Sequence, residues 1–143
     1  MKAFAVALLL VGGGSAFAQI TPVGLWRNID DKTGEVKAEI SIAETATGMN
    51  GRIEKLLGKN AKPGDVCNEC SDDRKGKLMV GLEIIRGAKK AADKDVWEDG
   101  KILDPENGRE YRLRLTPIEA GKKLEVRGSF GPFGRTQTWL RVQ

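Results

Sequence analysis

Cys67-Asn68-Glu69-Cys70 is the stretch of this chain whose residue types and spacing most directly invite chemistry. A Cys-x-x-Cys pair can cycle between dithiol and disulfide, contribute to a zinc site, or attach haem. Thiol catalysis needs a thiolate stabilised by a helix N-terminus or a nearby cation. Here Glu69, Asp72 and Asp73 disfavour a thiolate, and no βαβ pattern surrounds the pair. Zinc needs four ligands, and the chain has two cysteines and no histidine. Covalent haem attachment needs a histidine where Ser71 stands. A structural disulfide between Cys67 and Cys70 is the expectation for an oxidising compartment.

The missing histidine also removes the commonest general base and metal ligand. Glu98, Asp99, Asp104 and Glu106 lie close in sequence, and a pair of acids can serve hydrolysis. Their neighbours Gly100, Pro105 and Gly108 make turn formation the simpler account. No nucleophile, base and orienting group form a set. The chain reads as a non-enzyme, with no catalytic residue, metal or cofactor.

Residues that could hold a ligand are more evident. Arg135, Gln137, Trp139 and Arg141 alternate with Thr136, Thr138, Leu140 and Val142, so on a strand each set shares a face. With the Trp139 face inward, Arg135 and Gln137 sit near a barrel mouth. There the planar fork of arginine suits a carboxylate or phosphate head group. With that face outward they are surface residues. Arg141 can lie flat over the Trp26 indole, which favours the inward choice. Trp26 and Arg141 then close the barrel base, with Trp26 also a candidate ligand contact. Tyr111 shares a face with Leu113 and Leu115, so its hydroxyl falls at a rim or on a ligand.

These residues need strands to position them. Glycine recurs every eight to twelve residues with Asp, Asn or Pro, the punctuation of a β-meander. Strands are expected over 24–29, 35–43, 49–57, 78–86, 96–103, 109–116, 124–128 and 135–142. Val36, Ala38, Ile40 and Ile42 alternate with charged or polar residues, so one face is buried. Asp99-Gly100 implies either two short strands or one bulged strand over 96–103. The long polar segment 58–77, which carries both cysteines, is expected to be a loop. About eight antiparallel strands close into a barrel with room for side chains or one small ligand, and closure removes exposed edges.

Ahead of the meander, Lys2, the apolar run 3–11 and Ala16-Phe17-Ala18 form the pattern of a signal peptide cleaved after Ala18. The run is too short to span a bilayer as a helix. The expected product is residues 19–143, one domain, periplasmic or secreted, with no integral membrane segment. The net charge of +4 comes from interspersed lysines, arginines and acids. A nucleic-acid partner would need clustered cations and stacking aromatics, and neither is evident.

Gly24-Leu25-Trp26, Asp31-x-x-Gly34, Cys67-x-x-Cys70, Gly81-Leu82, Trp97 with Gly100, Ile102-Leu103-Asp104-Pro105, Gly108-x-x-Tyr111 and the run from Gly134 to Arg141 carry a resemblance. Over nearly all of residues 19–143 the chain resembles a bacterial exported family known as domain of unknown function 2147. The resemblance implies a lipocalin-like, calycin-type barrel, up-and-down and eight-stranded. It implies no activity.

The expected function is non-catalytic binding or carriage of a small, hydrophobic or amphipathic molecule in the cell envelope. Ile40, Ile42, Ile53, Leu82, Ile84, Leu113 and Val126 would line a cavity, with Trp26, Tyr111, Arg135, Gln137 and Trp139 as ligand contacts. The alternative is a ligand-free interaction module with a filled barrel, acting as a homodimer.

Overall fold

The computed structural model describes residues 20–143. The expected signal peptide lies outside the described residues. Eight strands follow in order: β1 (Gly24–Ile29), β2 (Val36–Thr45), β3 (Gly48–Leu56), β4 (Glu83–Lys90), β5 (Trp97–Asp104), β6 (Arg109–Ile118), β7 (Lys123–Phe130) and β8 (Phe133–Arg141). Each pairs antiparallel with the next, and β8 returns to β1, so the sheet closes into an up-and-down barrel. The β1–β2, β3–β4, β5–β6 and β7–β8 connections share one end, here called the mouth. The two ends of the described segment, Ile20 and Gln143, and the other connections share the base.

Period-two patterning decides which side chains face in. Ala38, Ile40 and Ile42 of β2 are buried, as are Leu113 and Leu115 of β6, while Arg112 and Arg114 between the latter are exposed. On β8 the inward set is the one carrying Trp139, which is fully buried.

Closure rests on a short seam. Only Trp26↔Arg141 and Arg27↔Leu140 stand in register between β1 and β8. Val142 N–H donates to the Leu25 carbonyl, and Leu25 N–H to the Gln143 carbonyl. Gly24 is needed here because its φ of +147° is one that side chains rarely adopt, and a Cβ would collide with the Arg141 guanidinium.

The interior is filled from the base upward. Trp26, Leu115, Leu124 and Trp139 have no exposed surface, and Ile40, Ile42, Ile53, Leu113 and Val126 are at most 3% exposed. Any void wide enough for water would expose them, so they form a packed core rather than the lining of a deep cavity. Leu82 and Ile84 are buried elsewhere. Ile85, not Ile84, stands in register with Gly51 and Ile102 on the inner wall. Ile84 and Leu103 alternate with those inward residues, yet both are buried. Outward side chains buried this far need a cover, and the β3–β4 loop passes over this wall, its Cys67 sulfur by the Pro105 carbonyl and its Glu69 against Gly108.

Both limits of β4 differ from the sequence expectation by more than two residues, and the other strands keep within two. Leu78 to Leu82 alternates like a strand, but Gly81, at a φ of +88°, turns the chain, and β4 begins at Glu83. It then runs through Gly87 to Lys90, past the expected end at residue 86. The 96–103 region is one strand, with Asp99 at a φ of +63° in an irregularity between Trp97 and Gly100.

Candidate functional site

The inward residues of the barrel change character toward the mouth. Trp139 is sealed, Gln137 is half-buried and Arg135 is exposed, at successive inward positions of β8. On neighbouring strands Asn28, Ile102, Tyr111 and Gly128 are also half-buried while facing in. Together they make a shallow bowl whose floor is the packed core. Gly128 helps to open it: it stands opposite Leu113 and Arg135, where any larger residue would press on the Tyr111 side chain.

A polar chain runs down one side of the bowl. Arg135 Nη2 donates to Asp31 Oδ1 at 2.6 Å, and Gln137 Nε2 reaches the same oxygen at 3.4 Å. The Trp139 indole N–H donates to Gln137 Oε1 at 3.0 Å. Asp31 belongs to the β1–β2 turn, fixed by Asp30, whose Oδ1 accepts from the Lys32 and Thr33 backbone N–H groups. Those backbone donors hold the Asp30 carboxyl below the usual carboxylate range. Asp31, with Asp30 and Asp104 nearby, raises the pKa of Arg135 further above its ordinary value. The mouth thus offers a guanidinium with donors to spare, one carboxylate and one amide. That set is complementary to a head group that both donates and accepts hydrogen bonds.

Of the other sequence candidates, Tyr111 joins the bowl wall, its hydroxyl oxygen accepting from Asn107 Nδ2 at 3.2 Å. Trp26 does not. It lies at the base, where its indole N–H donates to the Pro22 carbonyl and its face supports Arg141 at 4.2 Å. Arg141 donates to the carbonyls of Thr21, Val23, Gly121 and Gln143, and burial lowers its pKa from the ordinary value. Glu98, Asp99, Asp104 and Glu106 do not converge. Glu98 pairs with Arg114, Asp104 accepts from the Glu106 backbone, and Glu106 meets Lys37. Among the described residues no group of three or more acids, cysteines or histidines could hold a metal ion.

The β3–β4 loop brackets the mouth from outside the barrel. Cys67 and Cys70 are joined by a disulfide and are 1% exposed. The bond packs beside the β5–β6 turn, where Gly108 (φ +74°) leaves room for the Glu69 carbonyl. Arg74 fastens the loop. It is 2% exposed, donates to the Glu83 carbonyl at 2.9 Å, chelates Asp72 and lies 3.5 Å from Glu110. Arg86 pairs with Asp73 and Glu83 beside it. A surface groove of about 400 Å³ runs along this junction, and another of about 310 Å³ lies by Arg141 at the base.

Sequence reasoning missed Asp31 and Arg74. Asp31 lies 104 residues before Arg135, in a turn that already explains an acid. Nothing in a polar loop singles out Arg74.

Among solved structures, protein HP1028 from the human pathogen Helicobacter pylori, described as belonging to the lipocalin family, is similar to this chain. The TM-score is 0.73 at 17% identity, over 87% of this chain and 85% of that one. At that identity the likeness shows the fold, which is lipocalin-like. No curated protein sequence matches the chain. The model of the DUF2147 family, described as uncharacterized protein conserved in bacteria, matches residues 24–141, so the chain belongs to that family.

Proposed function

We propose that this protein binds a small, partly apolar molecule at the barrel mouth, without catalysis, as an exported protein of the bacterial envelope. The observation that carries the reading is the gradient on β8, from sealed Trp139 through half-buried Gln137 to exposed Arg135. Polar groups converge at one end of an apolar bowl, the arrangement that orients an amphipathic ligand. The polar end of the ligand meets Arg135, Asp31 and Gln137. Its apolar part rests on Ile102, Tyr111 and Gly128. The bowl is shallow, so the ligand is small or only partly enclosed.

Native mass spectrometry of the protein purified from its own compartment, followed by organic extraction, tests this. A reproducible adduct of one small molecule per chain is expected. A clean apo mass under gentle conditions contradicts it. The packed base favours one second reading, a ligand-free interaction module, and a clean mass at twice the monomer would support that instead.

A further inference from the structure

The β7–β8 hairpin ends in two of the most exposed large apolar residues of the barrel. Phe130 is 70% exposed and Phe133 is 76% exposed, and they face each other in register across Gly131-Pro132. Both continue the inward-facing series of their strands past the rim, where the wall ends and no neighbouring strand covers them. An uncovered phenylalanine pair on a tight turn leaves two large apolar rings in water.

Cations flank this tip. Arg127 lies against the Gly134 backbone next to Phe133, its Nη1 donating to Thr136 Oγ1 at 3.2 Å. Arg112 stands opposite Ser129, next to Phe130, and Lys101 stands opposite Arg112. All three are exposed on the outer wall. Among the described residues none of them has a carboxylate partner, whereas Arg114, farther down β6, is paired with Glu98. The acids on this wall are Glu125, which lies toward the base beside Arg127, and Glu110, which sits 3.5 Å from Arg74 of the β3–β4 loop.

We propose that the Phe130–Phe133 tip inserts into the interfacial layer of an anionic phospholipid membrane, with Arg127, Arg112 and Lys101 against the lipid phosphates. The convex shape of the tip argues for this occupant. Two rings on a two-residue turn make a wedge, far short of the roughly 800 Å² per partner of a stable protein interface. Apolar wedge and cations together are what interfacial binding uses, one contributing burial and the other attraction to anionic headgroups. Docking of this kind tilts the barrel so that the mouth opens at the lipid surface. The inference rests on the tip and the outer wall and does not require the mouth reading.

The test is fluorescence of Phe130→Trp with vesicles of phosphatidylcholine containing phosphatidylglycerol. The three native tryptophans are already buried, so the new indole reports the tip. A blue shift with phosphatidylglycerol vesicles, weakened by salt and absent with pure phosphatidylcholine, is expected. In co-sedimentation, Phe130→Ser/Phe133→Ser and Arg112→Gln/Arg127→Gln should each weaken binding about tenfold. Both pairs are exposed, and unchanged thermal melts would show that the variants fold. An unshifted emission, or co-sedimentation indifferent to both double variants, overturns the proposal. So does a monomer–dimer equilibrium in ultracentrifugation that Phe130→Ser/Phe133→Ser abolishes, since the tip would then belong to a second copy.

Discussion

Arg141 and Trp26 are registered partners across the seam that closes the barrel, and the guanidinium lies 4.2 Å from the indole centroid. The charge has the main-chain oxygens of Thr21, Val23, Gly121 and Gln143 and one aromatic face around it. This fork of donors gathers the segments before β1, after β6 and after β8. It replaces the extended ladder that the short β1–β8 pairing lacks.

Arg141→Met should therefore destabilise the barrel by about 3 kcal/mol, from lost charge-assisted hydrogen bonds and the cation–π contact. Arg141→Lys should rescue little, because an ammonium cannot reach the same set of carbonyls. Urea unfolding of the variants checks both. A loss within error for Arg141→Met would show that the backbone seam suffices.

Gly108→Ala should cost about 2 kcal/mol or more. Its φ of +74° disfavours a side chain, and the Cβ would collide with the Glu69 carbonyl. The loop should lift first, so protease sites within 58–77 should open before the barrel melts. Gly131→Ala, also at positive φ but with nothing near the added methyl, should cost less.

The loop anchor should respond to acid. Arg74 holds the Asp72 carboxyl at about 2, below its ordinary value of 3.8. A carboxyl with a depressed folded-state pKa contributes stability above its unfolded value, and that contribution fades as pH falls from about 3.8 toward 2. Asp72→Asn should lower the unfolding midpoint at pH 7 and flatten its decline over that acid window. Equal slopes in the two proteins would contradict the assignment.

The disulfide spans only three positions, so the unfolded-chain loop it closes is small. Cys67→Ser/Cys70→Ser should cost about 2 kcal/mol by loop entropy alone. It should leave mouth binding intact and reveal no loss of thiol chemistry, because the bond is sealed under the loop. Insulin-reductase activity in the parent that the variant lacks would restore an enzymatic role.

The barrel was legible where alternation was clean. Val36 to Ile42 and Tyr111 to Leu115 announce a half-buried strand, and the inward facing of Trp139 follows from Arg141 meeting Trp26. Legibility failed where a glycine changed the backbone without changing the pattern. Gly81 turns a stretch that alternates like a strand, and Gly87 sits within a strand that it was expected to end. Alternation puts Leu82 and Ile84 on a buried face without saying what buries them. Here the covering is the cysteine loop. Asp31 and Arg74 act through partners distant in sequence or hidden among other charges, which one sequence does not mark.

At the mouth, Arg135→Gln should weaken binding of an anionic amphiphile about tenfold or more, through loss of a charge-assisted hydrogen bond. Asp31→Asn should strengthen it by freeing the guanidinium. Isothermal titration with 11-(dansylamino)undecanoic acid checks the opposite signs.

A ligand held at the mouth end and one held at the base would perturb different tryptophans. The three tryptophan indole N–H resonances give the most direct reading, in two-dimensional NMR during titration with the same dansyl fatty acid. Trp139 donates to Gln137 at the bowl floor, and Trp26 donates to Pro22 at the base. Binding at the mouth should move the Trp139 resonance saturably while that of Trp26 stays. Movement of Trp26 alone, or no saturable movement of either, would contradict it.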